Sequence, residues 1–249
     1  MNIVKQGILI AASLGPGDPG LITKTAWDTL QQADCWAWPV SRKDEVSYAR
    51  EIVRRAEIAQ PKETLALKFP MTRDPVQLIE NWSIAAEQVL NTLNRGLDVV
   101  FLVEGDASFF STFGHLQRTV LTLDPKVKVN IIPGVSSPLA GAALHQKGLC
   151  EGDQSLVIIS ATIGMDRIDQ LLTDFETVVI LKIRPVLDDL LNILEKRQLL
   201  EKTVYVERAG SPDQQLITDV ATLKGVKVHY LSLLIIHSND GEANLGNRE

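Results

Sequence analysis

The sequence predicts an α/β fold of two domains, the N-terminal one on a mainly parallel sheet and the C-terminal one on a mixed sheet. Three observations lead there. Apolar, β-branched runs recur without polar alternation, which marks strands covered on both faces. Stretches with helical spacing separate these runs, and strand–helix alternation along a whole chain is the α/β pattern. After Leu156 the strand candidates crowd together with short links, which suits neighbouring strands in a mixed sheet better than long crossovers.

In chain order, Gly7–Ala12 is the first strand. Its lysine-led apolar start faintly resembles a signal peptide, but the run is short and enters a Gly/Pro turn, so a buried strand fits better. Leu21–Gln32 is predicted helical, Cys35–Val40 is a further strand candidate, and Ser47–Ala59 is helical through Ile52, Val53 and Ala56. Pro75–Asn94 carries a stripe of Leu78, Trp82, Ala85, Ala86, Val89 and Leu93, with Gly96 as a stop. Trp82 on that stripe reads as core rather than ligand contact. Strand Val99–Val103, helix Thr112–Leu123 and strand Val127–Ile132 follow. Beyond them come helix Ser137–Gln146, strand Leu156–Ser160, helix Met165–Thr173, strand Thr177–Leu181, helix Pro185–Lys196, and strands Thr203–Val206 and Val228–Ile235. The change of character puts a domain boundary at Pro133, giving domains 1–133 and 134–249, with a polar, mobile tail over 237–249.

Composition narrows the function classes. The 249 residues are 45% hydrophobic and 22% charged, as in a soluble globular protein. With 31 acidic against 25 basic side chains the net charge is −6, which argues against non-specific nucleic-acid binding but leaves room for a local basic cleft. Cys35 and Cys150 make no disulfide framework, so a reducing cytoplasm is the expected compartment. The four histidines are scattered, and no protein-built metal site is expected. No apolar run approaches the roughly 20 residues of a membrane span.

Three segments of similar design carry the chemistry. Leu14-Gly15-Pro16-Gly17-Asp18-Pro19-Gly20-Leu21 joins the first strand to a helix. Three glycines and two prolines make a rigid turn where backbone can approach a ligand, although an ordinary strand–helix turn has the same look. The G-x-G-x-x-G spacing is absent, and no Gly-Lys-Ser/Thr follows for a P-loop. Val103-Glu104-Gly105-Asp106-Ala107-Ser108 sits at the carboxyl end of a buried strand, where open parallel sheets bind ligands. Ser111 and Thr112 follow it, equally readable as helix cap or ligand contact. Ile131-Ile132-Pro133-Gly134-Val135-Ser136-Ser137-Pro138 repeats the design. Convergence of three such loops is more specific than any one of them.

Taken together, the Gly-Pro-Gly-Asp-Pro, Glu-Gly-Asp-x-x-x-x-Ser-Thr and Ile-Pro-Gly-Val-Ser-Ser motifs resemble those of the tetrapyrrole (corrin and porphyrin) methylase family, over roughly Ile8 to Leu234. Phe69-Pro70-Met71-Thr72-Arg73-Asp74, Thr177-Val-Val-Ile-Leu-Lys182 and Val206-Glu207-Arg208-Ala209-Gly210 resemble its precorrin-2 C20-methyltransferase branch, or the cobalt-factor II counterpart. The resemblance implies two α/β domains with the active site in a cleft between them, S-adenosylmethionine as methyl donor with S-adenosylhomocysteine as product, a tetrapyrrole substrate and a homodimer. It implies cofactor contacts at Pro16, Gly105, Asp106, Ala107, Ser111, Thr112, Ser136, Ser137, Lys182 and Ala209. Carboxylates on the implied substrate call for cations, and Arg73, Lys182, Arg184 and Arg208 are the candidates, Arg73 foremost because it sits in the branch-specific Pro-Met-Thr-Arg-Asp segment. Arg208 reads equally as a structural ion pair. Glu104 is the candidate proton acceptor, with loop structure as its competing role.

Three positions depart from the family pattern. Ser13 stands where a glycine is usual, Ala107 replaces the proline after Glu-Gly-Asp, and Thr25 replaces a common lysine. Pro39 stands where porphyrinogen-methylating relatives carry an aspartate, which argues against uroporphyrinogen III as substrate. A methyltransferase of the same fold for another precorrin, and a non-catalytic tetrapyrrole- or nucleotide-binding protein, are the alternatives. A protein- or RNA-methylating relative is a further one, and the acidic charge gives an RNA role no support.

Overall fold

The structure, a computed structural model, describes residues 5–41, 47–72 and 74–238. It divides into two compact units, residues 1–136 and 137–249. Arg73 and the tail beyond residue 238 lie outside the described residues.

The first unit holds β1 (Ile8–Ser13), α1 (Lys24–Gln32), β2 (Cys35–Val40), α2 (Tyr48–Arg55), β3 (Glu63–Lys68), α3 (Pro75–Leu93), β4 (Val99–Val103), α4 (Phe113–Leu123) and β5 (Lys128–Ile132). Its sheet runs β3-β2-β4-β1-β5, with all neighbours parallel. Side chains alternate between two cores. Leu9, Ala11, Val99, Phe101 and Val103 pack with Ala85, Ala86, Val89 of α3 and Leu116, Val120 of α4. Ala12, Trp36, Trp38, Val100 and Leu102 pack with Ala26, Leu30 of α1 and Ile52, Val53 of α2 on the opposite face. Every described central strand is therefore covered twice, which is why its sequence shows no polar alternation. Trp82 packs against the first of these cores and stacks on His115 with ring centroids 4.4 Å apart.

The second unit holds α5 (Ser137–His145), β6 (Leu156–Ser160), α6 (Met165–Asp174), β7 (Thr177–Leu181), α7 (Leu187–Lys196), β8 (Thr203–Glu207), β9 (Gln215–Ile217) and β10 (Ser232–His237). The order is β6-β7-β10-β8-β9; β6 and β7 are parallel, the other pairs antiparallel. Val178, Ile180, Tyr205, Leu234 and Ile236 pack against Ile168, Leu172 of α6 and Leu190, Leu191, Leu194 of α7. On the other face Gly141 of α5 comes close: a Cβ there would lie 3.4 Å from Ile235 Cδ1 and Val206 Cγ2.

Several boundaries differ from the predicted ones for local reasons. The stretch from Leu21 breaks in two. Asp18 caps a short 3-10 turn (Pro19–Leu21) by accepting from Gly20 N, and Thr23 Oγ1 then caps α1 by accepting from Ala26 N. Helix α2 stops at Arg55 rather than Ala59, because Glu57 turns left-handed (φ 56°) and the Glu57 and Ile58 N–H groups bond back to Arg54 and Val53. Strand β10 starts at Ser232, so Val228–Leu231 is not strand although Val228 is buried. Strands β3 and β9 have no counterpart among the predicted elements. Pro39 is tolerated in β2 because pairing with β4 ends at Ala37, so no β4 carbonyl lacks a donor there.

Candidate active site

The first unit's adjacent strands β4, β1 and β5 end at the same sheet edge, and the three predicted loops leave from there. In a doubly wound sheet this carboxyl edge is where ligands are held. Main-chain bonds join the first two loops: Gly105 N donates to Gly15 O at 2.8 Å and Gly15 N to Gly105 O at 3.2 Å. Both glycines have φ of +73°, a left-handed conformation that L side chains rarely adopt. At Gly15 an added Cβ would also press on Leu21 at 3.0 Å, whereas at Gly105 it would meet open space. Gly105 therefore leaves bare backbone beside open space.

Side chains tie in the rest. Asp106 Oδ2 accepts from Gly134 N at 2.7 Å, and its Oδ1 accepts from Ser108 N at 2.8 Å and from the Ser108 hydroxyl. Burial works to raise the Asp106 pKa, but these bonds outweigh it and hold the carboxyl below its ordinary value. Ser13 Oγ accepts from Ala107 N at 2.9 Å, and the Ser111 hydroxyl donates to Ala107 O at 2.5 Å. Ser111 Oγ also accepts from Phe113 N at 3.3 Å, so Ser111 makes the hydroxyl bond at the start of α4, while the N-cap Thr112 makes no side-chain cap bond. Glu104 is pushed up to about 7 by burial. A carboxyl that exchanges its proton near neutrality, beside an open glycine, is suited to proton transfer.

Pro16, Glu104, Gly105, Asp106, Ala107, Ser111, Thr112 and Ser136 thus lie on the three joined loops, with Pro16 buried in the first and Ser136 half-buried in the third. In the second unit Ser137 opens α5 and is half-buried. Strands β7 and β8 both run antiparallel to β10 between them, so Lys182 and Arg208, which follow them, lie at one sheet edge. Both hold left-handed backbone, at φ 57° and 51°, a strain that persists where the surroundings impose it. Arg208 Nη2 pairs with Asp213 at 3.0 Å, while its Nε is buried with no acceptor. Ala209 is buried, and Arg184 is exposed in a 3-10 turn (Arg184–Val186). Arg73 lies outside the described residues.

One site residue escaped the sequence. Arg55 of α2 donates through Nη2 to the carbonyl of Gly17 in the first loop, and its Nε is buried without an acceptor. The partners are 38 residues apart and no local pattern signals the contact. Among the described residues no cluster of His, Cys, Asp or Glu could hold a metal ion, and no helix is long and apolar enough to cross a membrane.

This doubly wound sheet, with three strand-end loops bonded into one carboxyl-edge assembly, has the layout in which α/β folds hold small ligands. Residues 9–224 match the family model for tetrapyrrole (corrin/porphyrin) methylases, and the chain belongs to that family. It is 32% identical to the "Probable cobalt-precorrin-2 C(20)-methyltransferase" of Methanocaldococcus jannaschii, over 94% of this chain and 97% of that protein. It is also 32% identical to the cobalt-precorrin-2 C(20)-methyltransferase of Salmonella typhimurium, over 84% and 87%. Against the cobalamin biosynthesis protein CobIJ of Mycobacterium bovis it is 28% identical over 93% of its own length but spans only 46%, about half, of that relative. Among solved structures, a cobalt precorrin-4 methyltransferase superposes with a TM-score of 0.68 at 19% identity, covering 92% of this chain and 94% of that one. The uroporphyrin-III C-methyltransferase of Thermus thermophilus, complexed with S-adenosylhomocysteine, superposes at 0.62 with 22% identity, covering 92% and 97%. At these identities the structural likeness speaks for the fold.

Proposed function

We propose that the chain is an S-adenosylmethionine-dependent methyltransferase that methylates C20 of precorrin-2, or of its cobalt complex, in cobalamin biosynthesis. The observation that carries this is the bonded assembly of the Gly15, Gly105–Ala107 and Gly134 loops, in a chain whose relatives of matching length carry that name. The donor set suits the cofactor: an open backbone at Gly105, an ionised carboxylate at Asp106 with unused lone pairs, and strand-end carbonyls that favour a cation. When bound, S-adenosylmethionine supplies a methyl group on a sulfonium, whose transfer quenches the positive charge.

The chain's own contribution is alignment and exclusion of water, and good positioning is worth about 7–11 kcal/mol. In this proposal Pro16, Gly105, Asp106 and Ala107 hold the cofactor, joined by Ser111, Thr112, Ser136, Ser137, Lys182 and Ala209 in the roles the resemblance implies. Ser111 serves through the loop it braces, since its hydroxyl is engaged at both Ala107 and Phe113. Arg73, Arg184 and Arg208 meet substrate carboxylates. Glu104, deprotonated, takes the proton from the methylated carbon, a role supported by its raised pKa and its place next to Gly105. A cytoplasmic homodimer completes the proposal, on the family resemblance and the cysteine usage.

The test offers metal-free precorrin-2 and cobalt-factor II side by side with S-adenosylmethionine and follows the gain of one CH2 by mass. Methylation of either at C20 supports the assignment. Methylation at another carbon moves the chain to a different precorrin step, and failure to bind S-adenosylhomocysteine at millimolar concentration overturns the enzymatic assignment.

A further inference from the structure

Ser13 ends β1 and has no solvent exposure. A buried hydroxyl is costly unless it is bonded. Its oxygen accepts the N–H of Ala107, itself buried, and the carbonyl of Ala107 accepts from Ser111. Both main-chain polar groups of Ala107 are therefore fixed by side-chain hydroxyls from two other places in the chain. The fit around Ser13 is close: a Cβ on Gly134 would lie 2.5 Å from Ser13 Cβ. The space that opens at Gly134 is thus filled by the hydroxymethyl group that holds Ala107. This one hydrogen bond depends on the identity of both residues. An alanine at 107 brings a buried N–H that a proline would lack, and a serine at 13 brings the acceptor that a glycine would lack.

We propose that Ser13 is a positioning residue for the cofactor. By accepting the Ala107 N–H it sets the turn in which Gly105 presents open backbone and Asp106 its carboxylate. The proposal rests on the assignment of these loops to S-adenosylmethionine binding. Ser13 itself does not touch the cofactor in this role; it acts through Ala107.

The test measures S-adenosylhomocysteine binding by calorimetry for the wild type, Ser13→Ala, Ser13→Gly, Ala107→Pro and the double variant Ser13→Gly/Ala107→Pro. Amide exchange at Ala107 is followed by NMR in the wild type and Ser13→Ala. Leaving the Ala107 donor unsatisfied weakens binding by roughly 5- to 20-fold in both single serine variants, the share of its desolvation cost that reaches the ligand. On the proline background, which has no donor, the same serine change costs less than about twofold. The Ala107 amide exchanges about tenfold or more faster in Ser13→Ala. Unchanged affinity in the serine variants, or an equal loss on the proline background, overturns the positioning role while leaving the cofactor assignment intact. An absence of binding by the wild type overturns the cofactor assignment and the positioning role with it. Should Ala107→Pro not fold, the pair of affinity and exchange changes in Ser13→Ala decides: both must move together for the proposal to stand.

Discussion

Asp106 Oδ2 accepts the Gly134 N–H at 2.7 Å, so the turn after β4 holds the turn after β5 across the end of β1 between them. One carboxylate thus sets the spacing of two loops that no main-chain ladder joins directly. Asp106→Ala removes this bond and those from Ser108 together. The expected outcome is a loss of about 1–3 kcal/mol in unfolding free energy, read by denaturant titration, with weaker S-adenosylhomocysteine binding by calorimetry. It should weaken that binding more than Arg73→Ala does; the opposite ordering would show that the two roles are exchanged. The folded-state pKa of Asp106 lies below its ordinary value. Its stabilising contribution is therefore present above the unfolded pKa and fades as pH falls through the folded one. Asp106→Ala should flatten the acid limb of the stability profile.

Gly134→Ala tests how tightly the same junction is packed. Its new Cβ would sit 2.5 Å from Ser13 Cβ and 3.0 Å from the Gly105 carbonyl oxygen. Displacing either is expected to cost about 1–3 kcal/mol. Adding Ser13→Gly removes the closer of the two clashes, so the double variant should regain part of that stability, less what the lost Ala107 bond takes. Urea unfolding of the four proteins in the cycle measures the coupling.

Arg55 braces the first loop from outside through the Gly17 carbonyl. Arg55→Met deletes the donor while keeping much of the apolar stem. Unfolding free energy should fall by about 1–2 kcal/mol, with a smaller effect on S-adenosylhomocysteine affinity than Asp106→Ala. Arg55→Lys, which keeps one charged donor, should fall between wild type and Arg55→Met. An effect on affinity larger than that of Asp106→Ala would instead place Arg55 in contact with the ligand.

Glu104 makes the opposite pH prediction to Asp106. Burial pushes its carboxyl up to about 7, so the folded chain keeps a proton that the unfolded chain releases near the ordinary glutamate value. The favourable state is complete below the unfolded pKa and is lost as pH rises through about 7. The stability difference across that window is on the order of 3 kcal/mol. Glu104→Gln should abolish most of this slope and be the more stable protein at pH 8. If Glu104 accepts the substrate proton, methylation by the wild type rises through the same pH range, and Glu104→Gln turns over slowly at every pH.

The central strands and long helices were legible because burial on both faces writes itself into composition: Val99–Val103 and Thr177–Leu181 end where predicted. Strand β3 was not legible because Glu63–Lys68 pairs on one side only, at a sheet edge, and mixes Glu63, Thr64 and Lys68 with three apolar residues in no regular alternation. Strand β9 is three residues long, too short to show a period. The end of α2 carries no glycine at its left-handed residue, Glu57, so the stop had no signal. In the site, the loops could be found from their Gly/Pro chemistry. The hydrogen bonds that unite them could not, since Ser13 with Ala107 and Arg55 with Gly17 are pairings across 94 and 38 residues that depend on which strands lie side by side.

The placement of β10 between β7 and β8 bears on how the second unit comes into being during synthesis. The middle rung of that sheet is the last of its strands to leave the ribosome, so β7 and β8 wait with open edges while residues up to 231 are made. The first unit has all five of its strands by residue 132 and is free to close much earlier. A nascent chain halted before Ser232 would carry a finished parallel sheet joined to two sticky half-sheets, the kind of species that chaperones retain and proteases clear.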